Sequence, residues 1–473
     1  MKKTVITSFF VIFFFQEIFA QEFIGLRTDN YSGSNGMLLN PATPISGSLP
    51  WDINIIAGGA AAYNNYVYAD NSSVFSLMNN TDSTELLYRD ITQAKAHENG
   101  FLQLPSAFLK MGDYAFGFFI TGRTAGFVQS AQYPPGLNSL HNIADGVETT
   151  IPEFDAAVLN WMEIGVNAEM ILQNNASGKI YVGANLKYLG GFDGLYFHNT
   201  EEFTFVKDSL TTDFTNLNMQ YAFTNNLGSS DIMDPSNYAI NGWGLGADLG
   251  IFYTIAGDFK KSVYADYDWK LGASLVDIGY IHFKDNAGTY VLTSENVFDM
   301  ATADLDSISD LVEFNRTGSR TLFDNGSESQ TGTVFNVMLP AALTLTADKN
   351  FGKGFFANAL IVRRLSFINK NMVARANIFA ISPRYETRWF GFTVPVSLYE
   401  DRDIHAGVAV RLFFLTVGTD NIISWIAPAE FDGSDFYAGI KINPVWLTNI
   451  KKSKKYKAGK QLDCPPVINP NNF

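Results

Sequence analysis

The chain has 473 residues, of which 47% are hydrophobic, 14% aromatic and only 17% charged, and its formal net charge is −14. This surplus of negative charge argues against nucleic acid as a partner, because it would repel phosphates. The single cysteine, Cys464, excludes an internal disulfide.

Residues 1–20 have the pattern of an export signal peptide. Lys2 and Lys3 provide a basic start, an apolar run covers Phe9–Phe15, and Ala20 precedes a predicted cut at Gln21. No later stretch reaches the roughly 18 consecutive apolar residues that a transmembrane helix needs. We therefore expect an exported protein that does not cross a membrane with helices.

Residues 21–50 lie between this signal peptide and the first predicted strand. They contain the tripeptide Asn40-Pro41-Ala42. On the residues alone, a proline-containing turn that leads into a strand explains this tripeptide.

Strict alternation of apolar and polar residues begins most clearly at Met162–Leu172, where Glu163 and Glu169 stand between apolar neighbours. A period of two places alternate side chains on opposite faces of a strand. Marking such segments predicts about fourteen strands. They cover 51–69, 101–111, 113–131, 157–173, 178–192, 243–256, 267–283, 333–348, 353–366, 371–386, 388–399, 403–418, 421–428 and 434–446. The prediction is an all-β fold: a closed antiparallel transmembrane β-barrel over 51–449.

The connections between these strands alternate between short and long. A barrel in an outer membrane has short turns at its periplasmic rim and long loops outside. With an even number of strands, both termini fall at the short-turn rim. We therefore predict a Gram-negative outer-membrane location with periplasmic termini, and lipid as the neighbour of the outer face. The basic segment 450–473 is either a disordered tail or a contact for an acidic periplasmic partner.

The charged face of each strand must point inward, since charge on the lipid face is costly. The lumen-lining candidates are Glu163, Glu169, Lys187, Asp248, Asp277, Arg375, Arg411 and Lys441. The outward candidates include Leu245, Leu249, Ile251, Leu339, Leu343 and Leu345. A change of phase between Leu275 and Val276 predicts a β-bulge. Because acids predominate in earlier strands and bases in later ones, two interpretations stay open: a transverse field that orients a solute, or an ion-paired network that stiffens the barrel.

Three segments carry a resemblance to known barrels: Asn40-Pro41-Ala42, the glycine-rich run Gly242–Gly250, and Leu271–Gly279. Together they resemble an uncharacterised family of outer-membrane barrels from type-IX-secreting (Bacteroidota-type) bacteria, distantly similar to the long-chain fatty-acid transporter superfamily. The resemblance implies that residues 21–50 fold into the lumen as a plug or hatch, with Asn40, Pro41 and Ala42 as plug residues. No activity comes with it.

No zinc-binding, Walker-type or Gly-x-Ser-x-Gly motif is present. We therefore expect no catalytic residues, no metal site, no cofactor and no enzymatic activity. The leading hypothesis is a transporter or channel-like barrel for a hydrophobic or small amphipathic solute. The alternative is a non-transporting outer-membrane partner that anchors secreted surface proteins, associated with type IX secretion or gliding.

Overall fold

The computed structural model describes residues 22–47, 49–79, 86–130, 145–225, 227, 239–256, 265, 267–308, 310–365 and 371–444. The predicted signal peptide (1–20) and the basic tail (450–473) lie outside these residues.

The fold is a closed antiparallel barrel of 14 strands. Each strand pairs with its neighbour in the chain, and the first pairs with the last from Ile53↔Ile442 to Tyr63↔Gly433, which closes the ring. In chain order the strands are Trp51–Asn64; Ala94–Gln103 with Ser106–Met111; Tyr114–Ser130; Phe154–Asn175; Gly178–Asn199; Gly242–Ile255; Trp269–Phe283; Phe335–Met338 with Ala342–Gly352; Phe355–Arg364; Ile378–Glu386; Phe390–Thr393 with Val396–Tyr399; Asp403–Ala406 with Val408–Leu412; Leu415–Thr419; and Gly433–Ile442.

Alternation determines which residues point inward. On the fourth strand Glu163 is 0% exposed, whereas Val166 on the opposite face is 58% exposed. Charged side chains inside the ring find partners there, whereas the side chains exposed on the outer face are mainly apolar. The predicted fold class is confirmed.

One rim, which we call the short-turn rim, carries tight connections such as 176–177 and 353–354, together with the start of the first strand and the end of the last. At the opposite rim the connections 65–93, 131–153, 200–241, 284–334 and 420–432 carry further structure. Their strands are Val67–Ser72, Leu86–Tyr88, Glu148–Ile151, Phe203–Lys207, Thr211–Thr215, Leu217–Thr224, Ala287–Ser294, Phe298–Ala301, Gln330–Gly332 and Ala429–Phe431. Their helices are Val74–Asn79, Thr302–Ser307, Leu311–Phe323 and Ile423–Ile426. We call this the long-connection rim.

Two strand predictions near the C-terminus are wrong. The segment 403–418 is two strands, because the chain turns at Phe413 and Phe414, and the segment 421–428 contains a short helix instead of a strand. Phe413 adopts a left-handed φ of 53°, a conformation for which the sequence offers no glycine or asparagine there. An apolar run therefore concealed the turn.

Two further predictions fail on the same side of the barrel. Leu339, predicted to face outward, is fully buried, because the strand is interrupted over 339–341 around Pro340. Residues 371–377 are not strand, since the tenth strand begins only at Ile378. Instead, Val373 N donates to Met338 O, so this segment lies against the eighth strand.

The predicted β-bulge is present. Ala247 pairs with Ile278 but Leu249 pairs with Leu275, so Val276 and Asp277 together stand opposite the single residue Asp248. Asp277 has a φ of 58°.

Exposed aromatic residues lie at two levels of the outer face. Near the short-turn rim they include Tyr114, Tyr253, Trp269, Phe351, Phe355, Trp389 and Phe413, and toward the other rim Tyr188, Trp243 and Tyr280 lie together on the fifth to seventh strands. From Trp243 to Tyr253, a rise of about 3.3 Å per residue and a tilt of about 40° separate the two levels by about 25 Å. Exposed aliphatic residues such as Leu245, Leu249 and Ile251 lie between them. No helix in the described part of the chain is both long and apolar enough to cross a membrane.

Candidate functional site in the barrel interior

Residues 22–47, which we call the N-terminal segment, lie against inward-facing side chains of strands from around the ring. Three short helices make up the segment: Ile24–Arg27, the 3-10 helix Gly33–Leu38, and Thr43–Ser46. Apart from Thr28, every residue from 22 to 45 is buried. Phe23, Ile24 and Leu26 pack with Ala57, Ala409 and Tyr437 of the wall in one apolar cluster.

The tripeptide Asn40-Pro41-Ala42 rests on the fourth to seventh strands. Asn40 Nδ2 donates to the carbonyl oxygens of Ile251 (3.3 Å) and Ala273 (3.2 Å), and Asn167 Nδ2 donates to Pro41 O (3.0 Å). All three residues of the tripeptide are buried.

Two glycines that pair across strands make this contact possible. Gly183 and Gly250 are register partners on the fifth and sixth strands. A Cβ on Gly183 would lie 2.7 Å from Pro41 carbonyl atoms, and one on Gly250 would lie 2.1 Å from Asn40 Oδ1. We call this pair the glycine seat. It gives part of the glycine-rich run a packing role that the sequence alone did not indicate.

The opposite side of the N-terminal segment is held by charges from the later strands. Arg411 Nε donates to Asp29 Oδ2 at 3.0 Å, and Lys441 Nζ donates to Tyr31 O. Near the fourth strand, Ile45 N donates to Glu169 Oε2 at 2.6 Å. Glu169, Arg411 and Lys441, all predicted to line the lumen, therefore contact residues 29–45 of the segment directly.

The start of the segment is held near the long-connection rim. Ile24 N donates to Asp420 Oδ2 (3.1 Å) and Gly25 N to the Tyr437 hydroxyl (3.0 Å), which itself donates to Asp420 Oδ1 (3.0 Å). Burial, and then the neighbouring Asp435 carboxylate, raise the pKa of Asp420 well above its ordinary value. Sequence reasoning missed this anchor because Asp420 lay in a predicted turn.

The remaining five candidates form a buried ionic cluster between the segment and the long-connection rim. Lys187 Nζ lies 2.8 Å from Asp248 and 2.7 Å from Asp277, while Arg375 Nε lies 3.0 Å from Glu22 of the segment. Arg123, which the sequence did not single out, binds Glu163 (2.9 Å) and Asp277 (2.7 Å). Arg123 and Lys187 neutralise these acids, and Arg375, a base from the later part of the chain, also lies 3.6 Å from Asp277, so the charges form an ion-paired network.

Three of the described histidines contact groups other than a nucleophilic side chain. His97 Nδ1 contacts Ala374 O, His198 lies between Asp155 and Asn371, and His282 contacts Asn336. Within the described ranges, no group of three or more His, Cys, Asp or Glu residues is placed to hold a metal ion.

A family model described as a family of unknown function (DUF5723) matches residues 41–420. No curated protein matches the chain in sequence. Among solved structures, the chain is similar to the Ralstonia pickettii toluene transporter TbuX (11% identity, TM-score 0.38, covering 86% of this chain and 92% of that one). It is also similar to a deletion mutant of the monoaromatic hydrocarbon channel TodX (11%, TM-score 0.42, covering 87% and 94%). A Pseudomonas aeruginosa FadL homologue matches at 7% identity and a TM-score of 0.25, covering 90% and 100%. At these TM-scores no functional argument rests on the likenesses.

Proposed function

This chain belongs to the family of unknown function DUF5723, and we propose that it is an outer-membrane barrel that passes a hydrophobic or small amphipathic solute, with the N-terminal segment as its plug. Family membership brings no activity, so the proposal rests on the geometry of the barrel and its interior.

The outer face supports insertion in a membrane. On the fifth to seventh strands, exposed aliphatic residues lie between two levels of aromatic residues about 25 Å apart, which is the height of the apolar band of outer-membrane barrels. An exposed apolar surface of this size would make the protein prone to aggregate in water. We place both termini and the short-turn rim on the periplasmic side. Proteases added to intact cells should then cleave the long connections and spare the short turns.

The observation that carries the plug proposal is the position of residues 22–47. They are buried within a ring that closes without them, since the first strand pairs directly with the last. The segment is joined to the wall through side chains and a glycine seat, and its removal would leave every barrel strand pair intact. A segment that blocks a lumen and can also leave it must be held by contacts that break without disturbing the pairing of the barrel strands.

The interior charges favour a solute that is not a simple ion. Four acids (Glu22, Glu163, Asp248 and Asp277) face the four bases Arg27, Arg123, Lys187 and Arg375 in and around the ionic cluster. A balanced cluster offers little net field to attract one sign of ion. Buried aromatic and aliphatic residues, Trp161 and Phe283 among them, continue the wall toward the long-connection rim.

Single-channel conductance in planar bilayers tests the proposal. The full chain should be nearly silent, and a chain lacking residues 22–47 should conduct, because the proposed plug is then absent from the lumen. A folded, membrane-inserted deletion chain that stays silent would overturn the proposal and favour the non-transporting anchor. Heat-modifiable migration in SDS gels checks that the deleted chain still forms a barrel.

A further inference from the structure

A cavity of about 430 Å³ opens at the long-connection rim, outside the region that the N-terminal segment fills. It lies between the ends of the first two strands, the hairpin that joins the eleventh and twelfth strands, and residues 90–93 of the first long connection. Volumes in this range accommodate small organic ligands.

The floor of the cavity is aromatic. The ring centroids of Tyr63 and His405 are 4.6 Å apart, those of Tyr63 and Tyr399 are 4.9 Å apart, and those of Tyr399 and His405 are 5.4 Å apart. The Tyr63 hydroxyl donates to buried Asp435 at 2.9 Å, which fixes the orientation of that ring. The floor therefore presents a rigid group of rings to whatever enters the cavity.

The hairpin beside the cavity joins Tyr399 to Asp403 through three residues. Glu400 and Asp401 both adopt left-handed φ values, 48° and 59°, so the chain reverses within these residues. Residues 90–93 of the first long connection line the cavity on its other side.

Four acids (Asp90, Glu400, Asp403 and Asp432) and two bases (Lys95 and Arg402) line the cavity, so its lining is negative overall. Glu400 binds Lys95 (3.1 Å) and Arg364 (3.1 Å), and Asp432 binds Arg89 (2.8 Å). Asp403 has only an exposed Arg402 at 3.6 Å. Asp90 is exposed and has no ion-pair partner among the described residues. A ligand that complements this cavity therefore carries a positive charge.

We propose that this cavity is a binding site for small organic cations that carry an apolar ring, such as aryl-alkyl amines. The ammonium group lies between Asp90 and Asp403, and the ring packs on the floor formed by Tyr63, Tyr399 and His405, where the cation also interacts with the aromatic faces. The inference rests on the proposed function, since it names the class of solute that the barrel takes.

Isothermal titration calorimetry of the full chain in detergent tests this proposal without measuring transport. The probes are phenethylamine, which has the charge and the ring, and phenylacetate, which has a similar skeleton and the opposite charge. Phenethylamine should bind at least about tenfold more tightly than phenylacetate. The carboxylates of the site attract its ammonium group and repel the carboxylate of phenylacetate.

Matched variants locate the site. Asp90→Asn combined with Asp403→Asn should weaken phenethylamine binding about tenfold, and His405→Leu about fivefold. Asp285→Asn, which removes an exposed acid from a distant part of the same rim, should leave the affinity unchanged. Equal affinity for the two probes, no binding of phenethylamine at millimolar concentration, or equal losses in the Asp285 variant would each overturn the proposal.

The two proposals fail separately. If phenethylamine binds as expected but the chain without residues 22–47 does not conduct, the site stands and the transport role falls. If that chain conducts but binding shows no preference for the cation, the transport role stands and the assigned solute class falls.

Discussion

Substitution of Gly250 by alanine should dislodge the N-terminal segment while sparing the barrel. The added Cβ would lie 2.1 Å from Asn40 Oδ1 and 2.8 Å from Pro41 Cδ, well inside ordinary contact distance. Asn40 must therefore move by about 1 Å or more, since strand backbones give way little in a packed wall.

The cost follows from the contacts that this movement breaks. Asn40 donates to two wall carbonyls and accepts from Ala42 N at 3.0 Å. Losing two such hydrogen bonds costs about 1–3 kcal/mol, and overpacking costs a similar amount. We expect the docked state to lose about 2–6 kcal/mol, which raises the undocked population at least roughly 30-fold.

Two measurements detect this loss of docking stability. Single-channel recordings of the Gly250→Ala chain should show frequent openings, and hydrogen exchange should accelerate in residues 22–47 alone. Gly122→Ala is the matched control, because it adds the same Cβ to a strand where no atom lies within 4 Å. If both variants behave like the unaltered chain, the glycine seat does not hold the segment and the reasoning is refuted.

Three further outcomes are expected. Lys187→Met should lower the stability of the barrel by about 3–5 kcal/mol, because it leaves buried carboxylates without their cation; an unchanged thermal midpoint in detergent would contradict this. Because burial raises the pKa of Asp420, its carboxyl bears a proton in the folded chain at a pH where the unfolded chain has lost it, so stability falls as the pH rises above about 4. As the pH rises from about 4, the unaltered chain should lose more stability than Asp420→Asn, and parallel pH profiles would refute the assignment. Arg411→Met should leave Asp29 unpaired and raise the open probability about tenfold, whereas Arg316→Met, which removes an exposed pair, should not alter it.

Alternation predicted most of the barrel because a residue inside a ring and one outside face different environments. It failed where the backbone departs from a strand without a local sequence cue. Phe413 occupies a left-handed turn in an apolar run, and Pro340 breaks a strand so that Leu339 points inward. At 371–377 the pattern remained strand-like, but contacts with the eighth strand determine the path of the chain.

The candidate site was predictable in its residue types and not in its partners. The side chain period indicated that Glu163 and Asp277 point inward. Nothing local indicated that Arg123 of the third strand would bind both, because these residues are distant in the chain. The glycine seat likewise depends on two distant relations. Gly183 and Gly250 must pair in register, and the N-terminal segment, more than a hundred residues earlier, must pack on them. No single segment of the sequence contains this information.

The most direct test of the central claim, that residues 22–47 close the lumen, is a reversible lock. With Cys464→Ser as background, Asn40→Cys and Gly250→Cys place two thiols at the glycine seat, where Asn40 already contacts the sixth strand. Conductance of this chain is then recorded before and after addition of a reductant. We predict that the oxidised chain is silent and opens on reduction, because the disulfide bridge replaces the contacts that the two substitutions remove. Conductance that is the same in both states would contradict it.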